Sequence, residues 1–157
     1  MMTRLTRTTA AVAAVSVAGL AALPGMANGD AVYHTQHMQL TPVGNAPLRS
    51  GFVQNIKANG PTIYAHEVYV LSGAERRATY TVTNHFFDGT TCDDPTQDSP
   101  FDMAELRTNR SGSAKAQAFI APADVEGLQG VHGVMWTIQN SNGDVVYQTG
   151  CSRVTLD

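Results

Sequence analysis

His34 and His37 lie three residues apart in VYHTQHMQL (residues 32–40), with Met38 beside them, a set of donors that copper or nickel would accept. A shared metal would need both imidazoles on one side. In a strand, side chains alternate between faces, so residues three apart diverge. The β-leaning composition, closed by Thr41-Pro42, therefore separates the two rings. One variant escapes this geometry. A mature chain starting at Val32 would offer its free amine, two backbone amides and the His34 imidazole, a square-planar nitrogen set suited to Cu(II).

A second candidate is acidic. Asp88, Asp93, Asp94, Asp98, Asp102 and Glu105 fall between Arg77 and Arg107 with no lysine or arginine among them. Calcium takes roughly 6–8 oxygen ligands, and a flexible loop carrying Asp88, Asp93, Asp94 and Asp98 could supply several of them. The glycine and terminal glutamate of an EF-hand are missing, so a solvated loop is the simpler expectation and calcium the only cofactor worth naming.

AHEVYV (residues 65–70) begins like the zincin helix, but Val70 stands where the second histidine is required. His66 and Glu67 then read as ordinary strand content. His132 shares a face with Val134, Trp136 and Ile138, which predicts a partly buried, hydrogen-bonded ring. His85 alternates with threonines and should face solvent. No nucleophile elbow, phosphate loop or dinucleotide fingerprint occurs, and the carboxylates crowd one loop instead of facing each other as a spaced pair. No catalytic residues are assigned. A binding or interaction role is preferred to an enzyme.

The elements that would position these groups are strands. In RATYTVTNHFF (residues 77–87), Ala78, Tyr80, Val82, Asn84 and Phe86 alternate with threonines and His85, the period of a half-buried strand. TIYAHEVYVL (residues 62–71) is apolar on both faces, as a central strand would be. FVQNIK, DMAELRT and SAKAQAFI are further strand candidates, punctuated by Gly60-Pro61, Ser72-Gly73, Asp88-Gly89 and Ser111-Gly112. Only PADVEGLQG (residues 122–130) hints at a helical turn. The pattern predicts an all-β fold, a single antiparallel β-sandwich.

Asn142-Gly143 between two alternating runs signals a hairpin. A two-residue turn pairs Ser141 with Asp144, Ile138 with Tyr147, Trp136 with Thr149 and Val134 with Cys151, all on one face. Cys92 and Cys151 are the only cysteines. In an oxidising compartment they form one disulfide, closing a loop of 59 residues. On the register above, Cys151 would sit on the core side beside Trp136 and pin the Cys92 loop to the last hairpin.

Export is written at the N-terminus. Arg4 and Arg7 precede an apolar run from Ala10 to Leu23, and Pro24-Gly25 break it before small residues. That is the layout of a secretory signal, too short to span a bilayer core that needs roughly 20 residues. Cleavage after Ala27 is preferred, with a cut after Ala31 as the alternative. Residues 28–157 then form one domain. Losing both arginines makes a chain of net charge −3 more acidic, which excludes a basic nucleic-acid or polybasic membrane footprint. No further apolar run is long enough to span a membrane.

The segments GPTIYAHEVYVLSGA, TYTV, LRTNRSGSAKAQAFI, VMWTIQN and VYQTGCSRVTLD, with Cys92, resemble a group of small exported proteins of high-GC Gram-positive bacteria that have no assigned activity. The resemblance covers most of residues 60–157 and implies a compact immunoglobulin-like β-sandwich. It implies no site residues. Together these readings predict a secreted, disulfide-stabilised binding protein with an unknown partner in the envelope or medium. The alternative is a small hydrolytic or metal-dependent enzyme assembled from distant histidines and carboxylates.

Overall fold

The computed structural model describes residues 32–59 and 64–156. Its strands are β1 (Val32–Gln39), β2 (Thr41–Pro42), β3 (Ser50–Asn59), β4 (Tyr64–Ser72), β5 (Thr79–Phe87), β6 (Asp98–Arg107), β7 (Ala114–Ile120), β8 (Gly130–Gln139), β9 (Val145–Gln148) and β10 (Ser152–Leu156). They form two antiparallel sheets, one ordered β1-β3-β4-β7 and the other β2-β9-β8-β5-β6, with β10 also paired to β8. The sheets stack as a β-sandwich. The helical hint at residue 122 proves to be a single 3-10 turn, Pro122–Asp124. The expected secretory signal, both expected cleavage points and the Gly60-Pro61 break expected between strands lie outside the described residues.

Period-two patterning builds the core. Val53 of β3, Tyr69 and Leu71 of β4, Tyr80 and Val82 of β5, and Trp136 and Ile138 of β8 all point inward and are buried. The inner positions of β7 are Ala114, Ala116 and Ala118, small residues that leave space between the sheets. β4 is central in its sheet, flanked by β3 and β7, as its two apolar faces predict.

The last hairpin follows the predicted register by a different route. Asn140 and Asp144 close the turn through Asn140 N–H to the Asp144 carbonyl at 2.9 Å, leaving Ser141, Asn142 and Gly143 as the loop. Gly143 takes φ +85°, a left-handed conformation that glycine adopts without a Cβ penalty. A bulge between Ile138 and Gln139 then restores the pairing of Ile138 with Tyr147. Thr149 N–H still donates to the Trp136 carbonyl, at 2.9 Å.

Beyond Thr149 the register slips. The chain leaves β8 at Gly150-Cys151, and β10 resumes with Ser152 opposite Val134. Cys151 is thereby the extra residue, exposed and off the core face, where the sequence pattern puts it beside Trp136. The disulfide itself forms, with Cys92 and Cys151 Cα atoms 5.7 Å apart. It lies over Gly133 of β8, where a Cβ would stand 2.7 Å from the Thr91 carbonyl oxygen and 3.2 Å from the Cys92 sulfur. The absence of a side chain at Gly133 lets the Cys92 loop lie against the sheet, fastened by Gly133 N–H to the Gly89 carbonyl at 2.7 Å.

Candidate functional site

The predicted metal candidates stay apart. His34 and His37 both lie on β1 and so face opposite ways, with the His37 ring centroid 4.4 Å from that of Phe52. Among the described residues, no three histidine, cysteine, aspartate or glutamate side chains gather as a metal set. Asp94 caps the 3-10 turn Pro95–Gln97: its Oδ1 accepts from the Thr96 N–H at 3.0 Å and hydroxyl at 2.6 Å, and its Oδ2 from the Gln97 amide at 2.9 Å. Those bonds from Thr96 hold its carboxyl below the ordinary value. Asp88 and Asp93 are exposed.

Asp98 is tied to a histidine. Its Oδ2 accepts from His85 Nδ1 at 2.7 Å, and the Thr137 hydroxyl lies 2.9 Å from Nε2. Hydroxyl, imidazole and carboxylate in line are the parts of an activated nucleophile. Here they lie on the outer face of the second sheet, half-buried at His85 and buried at Thr137. None of the three lines the cavity described next. His66 bonds to Gln117 at 3.2 Å on the outer face of the first sheet, and His132 donates to the Phe87 carbonyl at 3.1 Å.

The site that the sequence reading missed lies between the sheets. A cavity of about 350 Å³ opens where Ala65 and Ala118 replace the bulk that Tyr69 and Leu71 supply further along the core. Phe86, Met103, Ile120, Val125, Leu128 and Val134 make most of its wall apolar. Phe101 lines it while 52% exposed, as do the exposed residues Asp102 and Asp124, whose carboxylates accept from the Thr83 hydroxyl at 2.9 Å and the Ala121 N–H at 3.1 Å. Such a volume is at the lower end of small-molecule sites, usually about 300–1,000 Å³.

Glu67 of β4 sits at the inner end, fully buried, in phase with the core residues Ala65, Tyr69 and Leu71. Its Oε1 accepts from the Asn55 amide at 2.8 Å and the Asn84 amide at 3.4 Å. Its Oε2 accepts from the Trp136 indole N–H at 2.8 Å and from the Tyr69 hydroxyl. Burial pushes the Glu67 carboxyl up from its ordinary value, and these four donors partly oppose that rise. Tyr69 in turn is pushed well up, by burial and then by the neighbouring Glu67 charge. Lys57, also lining the cavity, donates from Nζ to the Thr155 carbonyl at 2.6 Å.

The cavity therefore brings together Asn55, Glu67, Asn84 and Trp136 from four strands of both sheets. A signal for them exists in the pattern. Asn55, Glu67 and Asn84 each interrupt an inward-facing period-two run, where a polar residue needs a partner. No family model matches this chain, and neither a curated protein nor a solved structure matches it.

Proposed function

We propose that this protein is exported and binds a small, largely apolar molecule in the cavity between its sheets. The observation that carries the reading is the cavity itself: about 350 Å³, walled mainly by apolar side chains, with Phe101 reaching solvent at its edge. At a water's ~30 Å³ of liquid volume per heavy atom, that space suits a ligand of about a dozen non-hydrogen atoms. The basic and apolar N-terminal segments and the Cys92–Cys151 bridge support export into an oxidising compartment. An enzyme gains less support, since His66, His85 and His132 all lie outside the cavity that holds Glu67, Asp102 and Asp124.

2-Methoxynaphthalene, an apolar probe of suitable size, should bind the native protein saturably at a single site in equilibrium dialysis. Ala118→Phe adds a ring to the cavity from β7 and should weaken that binding by about tenfold or more, equivalent to roughly 1.4 kcal/mol. Absence of saturable binding, or unchanged affinity in a folded Ala118→Phe protein, overturns the reading. Intact mass of the exported chain checks its N-terminus, with Asn28 the expected first residue.

A further inference from the structure

We infer that the inner end of the cavity selects a ligand carrying a neutral hydrogen-bond donor, a hydroxyl on an apolar skeleton, and that Asn55 is the residue that reads it. This rests on the cavity being a ligand site and adds the chemistry of the ligand's polar end.

The polar groups at that end are unevenly matched. Glu67 accepts from Asn55, Asn84, Trp136 and Tyr69, which fills the lone-pair sites of its two oxygens. The Asn55 amide turns its Nδ2 to Glu67 at 2.8 Å, which leaves Oδ1 to find another partner. Asn55 is 5% exposed and lines the cavity, and its Oδ1 is buried with no hydrogen-bond partner. A buried acceptor left unmet costs about 1–3 kcal/mol. Among the described residues that line the cavity, Asn55 Oδ1 is the one buried side-chain acceptor left without a donor.

Charge narrows the class. Lys57 and Glu67 both line the wall, one basic and one acidic, and both already hold hydrogen-bond partners. A ligand ion of either sign would have to leave water for a mostly apolar space. A hydroxyl satisfies Asn55 Oδ1 without bringing a charge. Sites that hydrogen-bond a ligand hydroxyl discriminate against the analogue lacking it, because the protein's own polar group is then stranded.

The test compares probes that share one apolar body. 2-Naphthol should bind the native protein about tenfold more tightly than 2-methoxynaphthalene, and more tightly than 2-naphthoate. In Asn55→Leu the preference for 2-naphthol over 2-methoxynaphthalene should vanish while 2-methoxynaphthalene still binds, which shows that the cavity persists. If Asn55→Leu does not fold, the native comparison decides alone. Equal affinity of the two neutral probes, as expected if trapped water satisfies Asn55, overturns this inference and leaves the cavity reading standing. Tighter binding of 2-naphthoate overturns it as well. Failure of every probe to bind removes both.

Discussion

The Trp136 indole on β8 donates to Glu67 on β4 across the interior at 2.8 Å, so a polar bond joins the two sheets through the middle of an apolar core. Trp136 is the only tryptophan and is fully buried. A hydrogen bond to a charged group contributes about 1.5–3 kcal/mol, and leaving the carboxylate short of a donor adds to the loss. Trp136→Phe should therefore destabilise by about 2–4 kcal/mol in urea unfolding. Combined with Glu67→Gln, the losses should fall short of their sum by about 1 kcal/mol, because both changes break one contact. Simple additivity would show that the bond carries no energy.

Glu67 should also make stability depend on pH. Burial raises its folded-state pKa above the ordinary 4.5, so the native protein binds the proton more readily than the unfolded chain. A raised folded pKa contributes stability that is fully present below the unfolded value and is lost as pH rises through the folded one. The Glu67 contribution to stability should therefore grow as pH falls from neutral toward 4.5. Glu67→Gln should flatten that part of the profile. Melting temperatures of both proteins across this range give the comparison, and parallel profiles would remove Glu67 as the cause.

Much of the sandwich is legible from alternation alone. Tyr80, Val82, Asn84 and Phe86 share a face as the two-residue period requires, and Ile138 meets Tyr147 even though the turn at Gly143 has three residues instead of two. Cys151 shows where counting stops. One residue looped out between Thr149 and Ser152 reverses its face, and the Cys92 loop it bonds to packs on Gly133, a contact over 40 residues of chain that counting along one strand does not contain. Glu67 shows the other limit. Its inward phase beside Ala65 and Tyr69 is visible, but its donors Asn55, Asn84 and Trp136 come from three other strands, and only the fold brings them to one carboxylate.

Gly133 should tolerate no side chain. A Cβ there would stand 2.7 Å from the Thr91 carbonyl oxygen, a backbone atom that moves only with its loop. Gly133→Ala should destabilise by about 1–3 kcal/mol, the usual range for overpacking a close contact. The Gly133 N–H to Gly89 bond at 2.7 Å would lengthen with it, so amide exchange at residue 133 should accelerate more than at Ile138. Stability within 0.5 kcal/mol of the native protein, the range of about ±0.5 kcal/mol typical of surface changes, would mean that the loop is not held against the sheet.

The exposed position of Cys151 decides how the disulfide should behave. Because it lies on the surface and not beside Trp136, a reductant can reach it without opening the core. Tris(2-carboxyethyl)phosphine should therefore reduce the native protein at a rate that does not follow global unfolding. The bridge closes a 59-residue loop, for which chain entropy gives a ceiling of roughly 4 kcal/mol. Residual structure in the unfolded chain lowers that, so replacing both Cys92 and Cys151 with alanine should cost about 2–4 kcal/mol. For a domain of this size the melting temperature should fall by roughly 5–15 °C. Trp136 emission should stay that of a buried indole, and 2-methoxynaphthalene should bind the double variant as it binds the native protein, since neither cysteine lines the cavity. A red-shifted Trp136 in the folded double variant would show that the bridge shapes the core; loss of probe binding with Trp136 still buried would tie the surface disulfide to the cavity.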